Sequence, residues 1–137
     1  MKHLNDYKIF IAEDNFLYAH VLEEVLKELG NFKISSFTSP EECMLMLGNN
    51  PDLIILDYHF FDGEKSANGM NAMNGMSALQ YIKTQQPGIP VIILSAQQDV
   101  QVAADLLRAG AYDYIEKRDR ERAMEKLIVS VQRALNI

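Results

Sequence analysis

Cysteine is almost missing from this chain. Cys43 is the only one in 137 residues, so no disulfide can close within it and a cysteine-based zinc site lacks ligands. Its neighbours Met44, Leu45 and Leu47 make it a small buried apolar residue rather than a redox centre. Long hydrophobic runs are missing too. Apolar stretches such as Val91-Ile92-Ile93-Leu94 fall far short of the ~20 residues that span a bilayer. The opening Met1-Lys2-His3-Leu4-Asn5-Asp6 lacks the apolar core of a signal peptide. A cytoplasmic protein with no membrane partner is expected. There is no basic excess either: the net charge of −6 disfavours direct nucleic-acid binding.

What is present suits one folded domain. A hydrophobic fraction of 48% argues against disorder, and the length is ordinary for a single core. Short Ile/Val/Leu runs read as buried strands at 8–12, 33–37, 53–56, 91–94 and 112–115. Stretches with helical spacing lie between and after them, at 16–29, 40–47, 77–85, 100–109 and 120–136. Gly30 and Gly110 follow helices and suit left-handed C-terminal caps. Ser39-Pro40-Glu41-Glu42 supplies an N-cap, a proline at the first helical position and two early acids. Met124, Leu127, Ile128, Val131, Ala134 and Leu135 form one stripe, so the last helix packs against something. Five β-then-α units imply a parallel sheet with helices on both faces. Right-handed crossovers leave the flavodoxin-like α/β fold, a (βα)5 three-layer sandwich of strand order 2-1-3-4-5, as the simplest solution.

In such sheets ligands bind beyond the carboxyl ends of the strands. There the sequence puts Glu13-Asp14 after strand one, Asp57 after strand three, Ser95-Ala96 after strand four and Glu116-Lys117 after strand five. Crowded carboxylates resist joint ionisation, so positive charge must compensate. Lys117 supplies one charge and a hard cation such as Mg²⁺ the rest. A remaining carboxylate oxygen could then attack phosphorus and form an acyl phosphate. The plain alternatives are a helix cap for Glu13-Asp14, an ordinary strand-ending acid for Asp57, a turn residue for Ser95 and a surface lysine for Lys117.

From Tyr7 to about Asn136 the chain resembles the response-regulator receiver family of two-component systems. The resemblance rests on Ile11-Ala12-Glu13-Asp14, Leu53-Ile54-Ile55-Leu56-Asp57, Val91-Ile92-Ile93-Leu94-Ser95-Ala96 and Gly110-Ala111-Tyr112-Asp113-Tyr114-Ile115-Glu116-Lys117, in this order. It implies that Asp57 is the phosphoacceptor and that Asp14 ligates Mg²⁺ directly, with Glu13 acting mostly through water. The His59 backbone carbonyl completes the metal ligands. Ser95 and Lys117 contact the phosphoryl group, and Tyr114 is the switch aromatic that turns inward with Ser95. The implied donor is a sensor histidine kinase or phosphotransfer protein. The implied reader is a downstream output protein or domain at the face of helix four, strand five and helix five. The domain would be no enzyme beyond its own phosphorylation and dephosphorylation, and a monomer or weak phosphorylation-dependent dimer.

Two departures stand out. Phe61 occupies the family's proline position, and Met73-Asn74-Gly75 comes later than the family places its glycine. The stretch Ala67-Asn68-Gly69-Met70-Asn71-Ala72 before it resembles Met73-Asn74-Gly75-Met76-Ser77-Ala78. This reads as a duplication giving an insertion at 62–74 within one receiver domain spanning 1–137, core about 7–136. Gly75 is favoured for the family role, with Gly69 the alternative. Its Asn, Gly, Ser and Ala content suits a surface loop. Secondly, Lys117 is followed by Arg118 rather than proline, so a trans bond and a shifted loop are expected. Arg108, Arg118, Arg120 and Arg122 read as a solvated helix start or a docking patch. Two other functions fit less well. In a Mg²⁺-dependent phosphohydrolase, His59 would stand where a second Asp is needed. A degenerate interaction module would not need all five site positions suitably filled.

Overall fold

The computed structural model describes residues 3–58 and 74–137. The elements run β1 (Lys8–Ala12), α1 (Phe16–Leu29), β2 (Lys33–Phe37), α2 (Pro40–Leu45), β3 (Leu53–Tyr58), α3 (Gly75–Gln85), β4 (Val91–Ser95), α4 (Val100–Arg108), β5 (Asp113–Glu116) and α5 (Arg120–Leu135). All strand pairs are parallel and the sheet order is β2-β1-β3-β4-β5, the flavodoxin-like arrangement anticipated above. The insertion at 62–74 lies outside the described residues except for Asn74, as do His59, Phe61 and Gly69.

Strand alternation divides the apolar residues between two cores. Ile9, Ile11, Leu53, Ile55, Ile92 and Leu94 face α1 and α5 and pack with Leu22, Leu26, Leu127 and Val131. Their neighbours Phe10, Ile54, Leu56 and Ile93 face the opposite layer and meet Cys43, Leu79, Ile82 and Leu106. Central strands buried on both faces must be apolar at every position, which is why β3 reads Leu-Ile-Ile-Leu before its first acid. Each of these side chains contributes roughly 1.5–3 kcal/mol through burial. The edge strand β2 differs from the buried strand anticipated there. Ser35 and Ser36 leave most of it open, because an edge strand needs only part of its surface covered.

Several boundaries also differ. β3 and β4 run on to Tyr58 and Ser95, since Asp57 pairs with Leu94 and Tyr58 with Ser95 in the ladder. β5 begins at Asp113 and ends at Glu116. α2 stops at Leu45 rather than 47, and a separate 3₁₀ turn, Leu47–Asn49, ends on Asn50 at φ 58°. α3 starts two residues early, at Gly75, because the Asn74 side chain accepts from Ser77 N at 2.8 Å and caps it. α4 stops at Arg108, with Ala109 as its cap. Asn136 is a left-handed cap on α5, not its last helical residue. Gly30 is no left-handed cap: its φ is 175° and the chain leaves α1 extended. Gly110, at φ 110°, does turn the chain with the freedom expected of glycine.

Candidate functional site

Glu13 leaves β1 with its backbone N donating to Phe37 O at 2.9 Å, and its side chain turns into the protein, the residue being 4% exposed. Asp57 is nearly as buried, whereas Asp14 is exposed. Ligand oxygens of Glu13, Asp14 and Asp57 all lie within 4.8 Å of one another. The plain alternative for Glu13-Asp14 gives way here. Asn15 is the N-cap of α1, its side chain accepting from Tyr18 N at 3.0 Å. Glu13 instead accepts from Asn15 N at 3.1 Å.

Lys117 crosses the sheet edge to reach this cluster. Its backbone N donates to Ser95 O at 2.7 Å. Its Nζ lies 2.7 Å from Asp57 Oδ1 and 2.5 Å from Glu13 Oε1. Arg118 in place of proline therefore does not stop Lys117 from reaching the acids, and the described peptide bonds are all trans. Burial, followed by the charge of Asp57, pushes the Glu13 carboxyl up to about 7, and Lys117 only partly opposes this. Burial alone would depress Lys117. Its contacts with Asp57 and Glu13 outweigh that and hold the ammonium above its ordinary value. Among the described residues three acids thus face one ammonium, with Asp14 on the open side. This donor set suits a hard divalent ion that keeps some of its water.

Ser95 is fully buried at the end of β4, and its Oγ accepts from Gln97 N at 3.0 Å. Tyr114 is half-buried, and its hydroxyl donates to Gln97 O at 2.9 Å. Burial pushes its phenol up, and a hydrogen bond with Ser95 partly offsets this. Gln98, next in the same loop, donates to Glu116 Oε2 at 3.1 Å and accepts from Arg118 Nη1 at 2.7 Å. The loop after β4 is thus tied to the end of β5 and to the loop that follows it. Arg108 pairs with Asp105 of its own helix, at 3.5 Å and largely in solvent.

Five of the expected side chains, those of Glu13, Asp14, Asp57, Ser95 and Lys117, stand at one sheet edge, with Tyr114 beside Ser95. The chain matches the family described as the response regulator receiver domain over residues 9–129. It belongs to that family. A response regulator described as NtrX-like from Rickettsia bellii is 28% identical over 131 residues, covering 94% of this chain and 25% of that protein. The glycerol metabolism activator of Pseudomonas putida is 27% identical, with coverage of 91% and 53%. The chain therefore spans from a quarter to about half the length of these relatives. Among solved structures, the receiver domain of NtrX from Brucella abortus superposes with a TM-score of 0.76 at 25% identity, covering 93% of this chain and 98% of that one.

This receiver domain is thus a signalling domain of two-component systems, and receiver domains generally bind Mg²⁺; its acidic cluster could hold such an ion. Among the described residues no helix is long and apolar enough to cross a membrane. Sequence reading overlooked one residue at the site. Tyr18 lies in the first turn of α1, and its ring centroid is 4.3 Å from Lys117 Nζ. Its place in the first turn of α1, directly after the acids that follow β1, was the available signal.

Proposed function

We propose that this receiver domain accepts a phosphoryl group on Asp57 from a sensor histidine kinase or phosphotransfer protein. The observation that carries the proposal is the position of Lys117 Nζ, 2.7 Å from Asp57 Oδ1 within a cluster of three acids. A buried carboxylate oxygen paired with a cation is a nucleophile whose developing phosphoryl charge already has a partner nearby. Asp57 attacks phosphorus; the bond from phosphorus to the donor nitrogen breaks as the new O–P bond forms. Lys117 then pairs with the added charge, and Ser95 donates its hydroxyl to a phosphoryl oxygen. Glu13, Asp14 and Asp57, joined by the His59 carbonyl, would hold Mg²⁺, which neutralises phosphoryl oxygens when bound.

The switch follows from the same contacts. Ser95 gives up the hydrogen bond it accepts from Gln97 N when its hydroxyl gains a charged phosphoryl oxygen to donate to, and Tyr114 then follows into the space released. A contact made only in the phosphorylated state biases an existing equilibrium. The face of α4, β5 and α5 reports it to an output protein or domain, within one domain of residues 1–137 in the cytoplasm.

Incubation with Mg²⁺ and acetyl phosphate followed by intact-protein mass measurement tests the reading. One phosphoryl group should add to the wild type and none to Asp57→Asn. A wild type that gains no mass ends the proposal in favour of a phosphorylation-independent interaction module. Steady release of phosphate from simple esters would favour a hydrolase.

A further inference from the structure

Lys117 is held from three sides. Glu13 and Asp57 take two of them, at 2.5 and 2.7 Å. The third is the face of Tyr18, with Nζ 4.3 Å from the ring centroid, well within cation–π range. The polar end of Tyr18 does not account for its position, because its buried hydroxyl has no hydrogen-bond partner among the described residues. An unpartnered buried hydroxyl is unfavourable, so the ring is what gains from this placement.

The lysine needs such a surface. Its backbone is fixed by the bond to Ser95 O, but its four-carbon stem has many rotamers open to it, and ordering it opposes the contact. Arg118 gives no support, since its guanidinium is engaged with Gln98. An aromatic face holds an ammonium without offering a charge or a proton acceptor. Unlike a carboxylate, it does not compete with an arriving phosphoryl group, so the ammonium can slide across it toward the new anion.

We propose that Tyr18 is a positioning residue for Lys117, its ring face keeping the ammonium directed at Asp57 before and during phosphoryl transfer. The kinetic consequence rests on the phosphoacceptor reading above; the contact itself does not.

Two variants test this in the whole chain. Tyr18→Phe keeps the ring and removes the unpartnered hydroxyl, whereas Tyr18→Leu removes the ring. By NMR without metal, the Lys117 ε-methylene, assigned through its absence in Lys117→Arg, should show an upfield ring-current shift in wild type and Tyr18→Phe and lose it in Tyr18→Leu. With saturating Mg²⁺ and acetyl phosphate, Tyr18→Phe should be phosphorylated within about twofold of the wild-type rate. Tyr18→Leu should be about three- to tenfold slower, the span expected for losing a partly desolvated cation–π contact. Tyr18→Met serves as a second ring-free variant if Tyr18→Leu folds poorly. A retained shift or an unchanged rate in both ring-free variants overturns the proposal. So does a Tyr18→Phe as slow as Tyr18→Leu, which would assign the effect to the hydroxyl. If the wild type takes no phosphoryl group, the phosphoacceptor reading falls, and the ring-current comparison still decides the contact.

Discussion

The buried carboxyl of Glu13 makes the metal-free protein lose stability as the pH rises from mildly acidic to neutral. Raising that group from 4.5 to about 7 corresponds to about 3 kcal/mol between its protonated and ionised forms. The side chain is only 2% exposed, so solvent screens little of this. The sign follows from proton counting. Between those two values the folded chain keeps a proton that the unfolded chain has already released, so stability falls as pH rises through the window and levels off above it. Urea unfolding in the presence of a chelator should therefore show a midpoint lower at pH 8 than at pH 5. For a loss of up to about 3 kcal/mol and an ordinary denaturant slope, the displacement is on the order of 1–2 M. Glu13→Gln should remove most of that slope and exceed the wild type in stability at pH 8. Lys117 and Cys43 do not confuse the comparison, because both are raised from ordinary values already above this window. A wild-type midpoint that stays level or rises from pH 5 to 8 would refute the reasoning. So would a Glu13→Gln variant with the wild-type slope.

Other consequences can be checked as simply. A Cβ added at Gly75 would run into the Tyr58 ring, so Gly75→Ala should destabilise by about 1–3 kcal/mol in urea unfolding. Burial pushes the Cys43 thiol up to about 12, so a thiol reagent at pH 8 should label it only after denaturant is added. Tyr114→Phe removes the hydrogen bond to Gln97 O and should lower stability by about 0.5–1.5 kcal/mol, with altered amide signals in the loop after β4 by NMR. Leu79→Ala, in the core between α3 and the sheet, should lower stability by about 2–5 kcal/mol.

The alternation of apolar runs with helical stripes made the sheet order and both helical layers legible, because a parallel strand buried on two faces has no other way to be written. The acids after β1 and β3 were legible for the converse reason: charge directly after such a run has to sit at the strand end. Ladder register was not. That Tyr58 lies opposite Ser95, which extends both strands, depends on two segments far apart in the chain. Gly30 misled because α1 needed no left-handed turn; the buried Phe32 beyond it is reached by continuing straight. Tyr18 was hidden because an aromatic on an amphipathic helix ordinarily means core, and nothing local announces a lysine arriving from the other end of the chain.

Lys117 and Glu13 are 104 positions apart, and this separation bears on how the protein is made. While a ribosome is still extending the chain through β4, the acids exist without the ammonium that balances two of them. The nascent domain completes this cluster only when its last βα unit emerges and docks, so a prematurely terminated product would carry Asp57 but lack the lysine beside it.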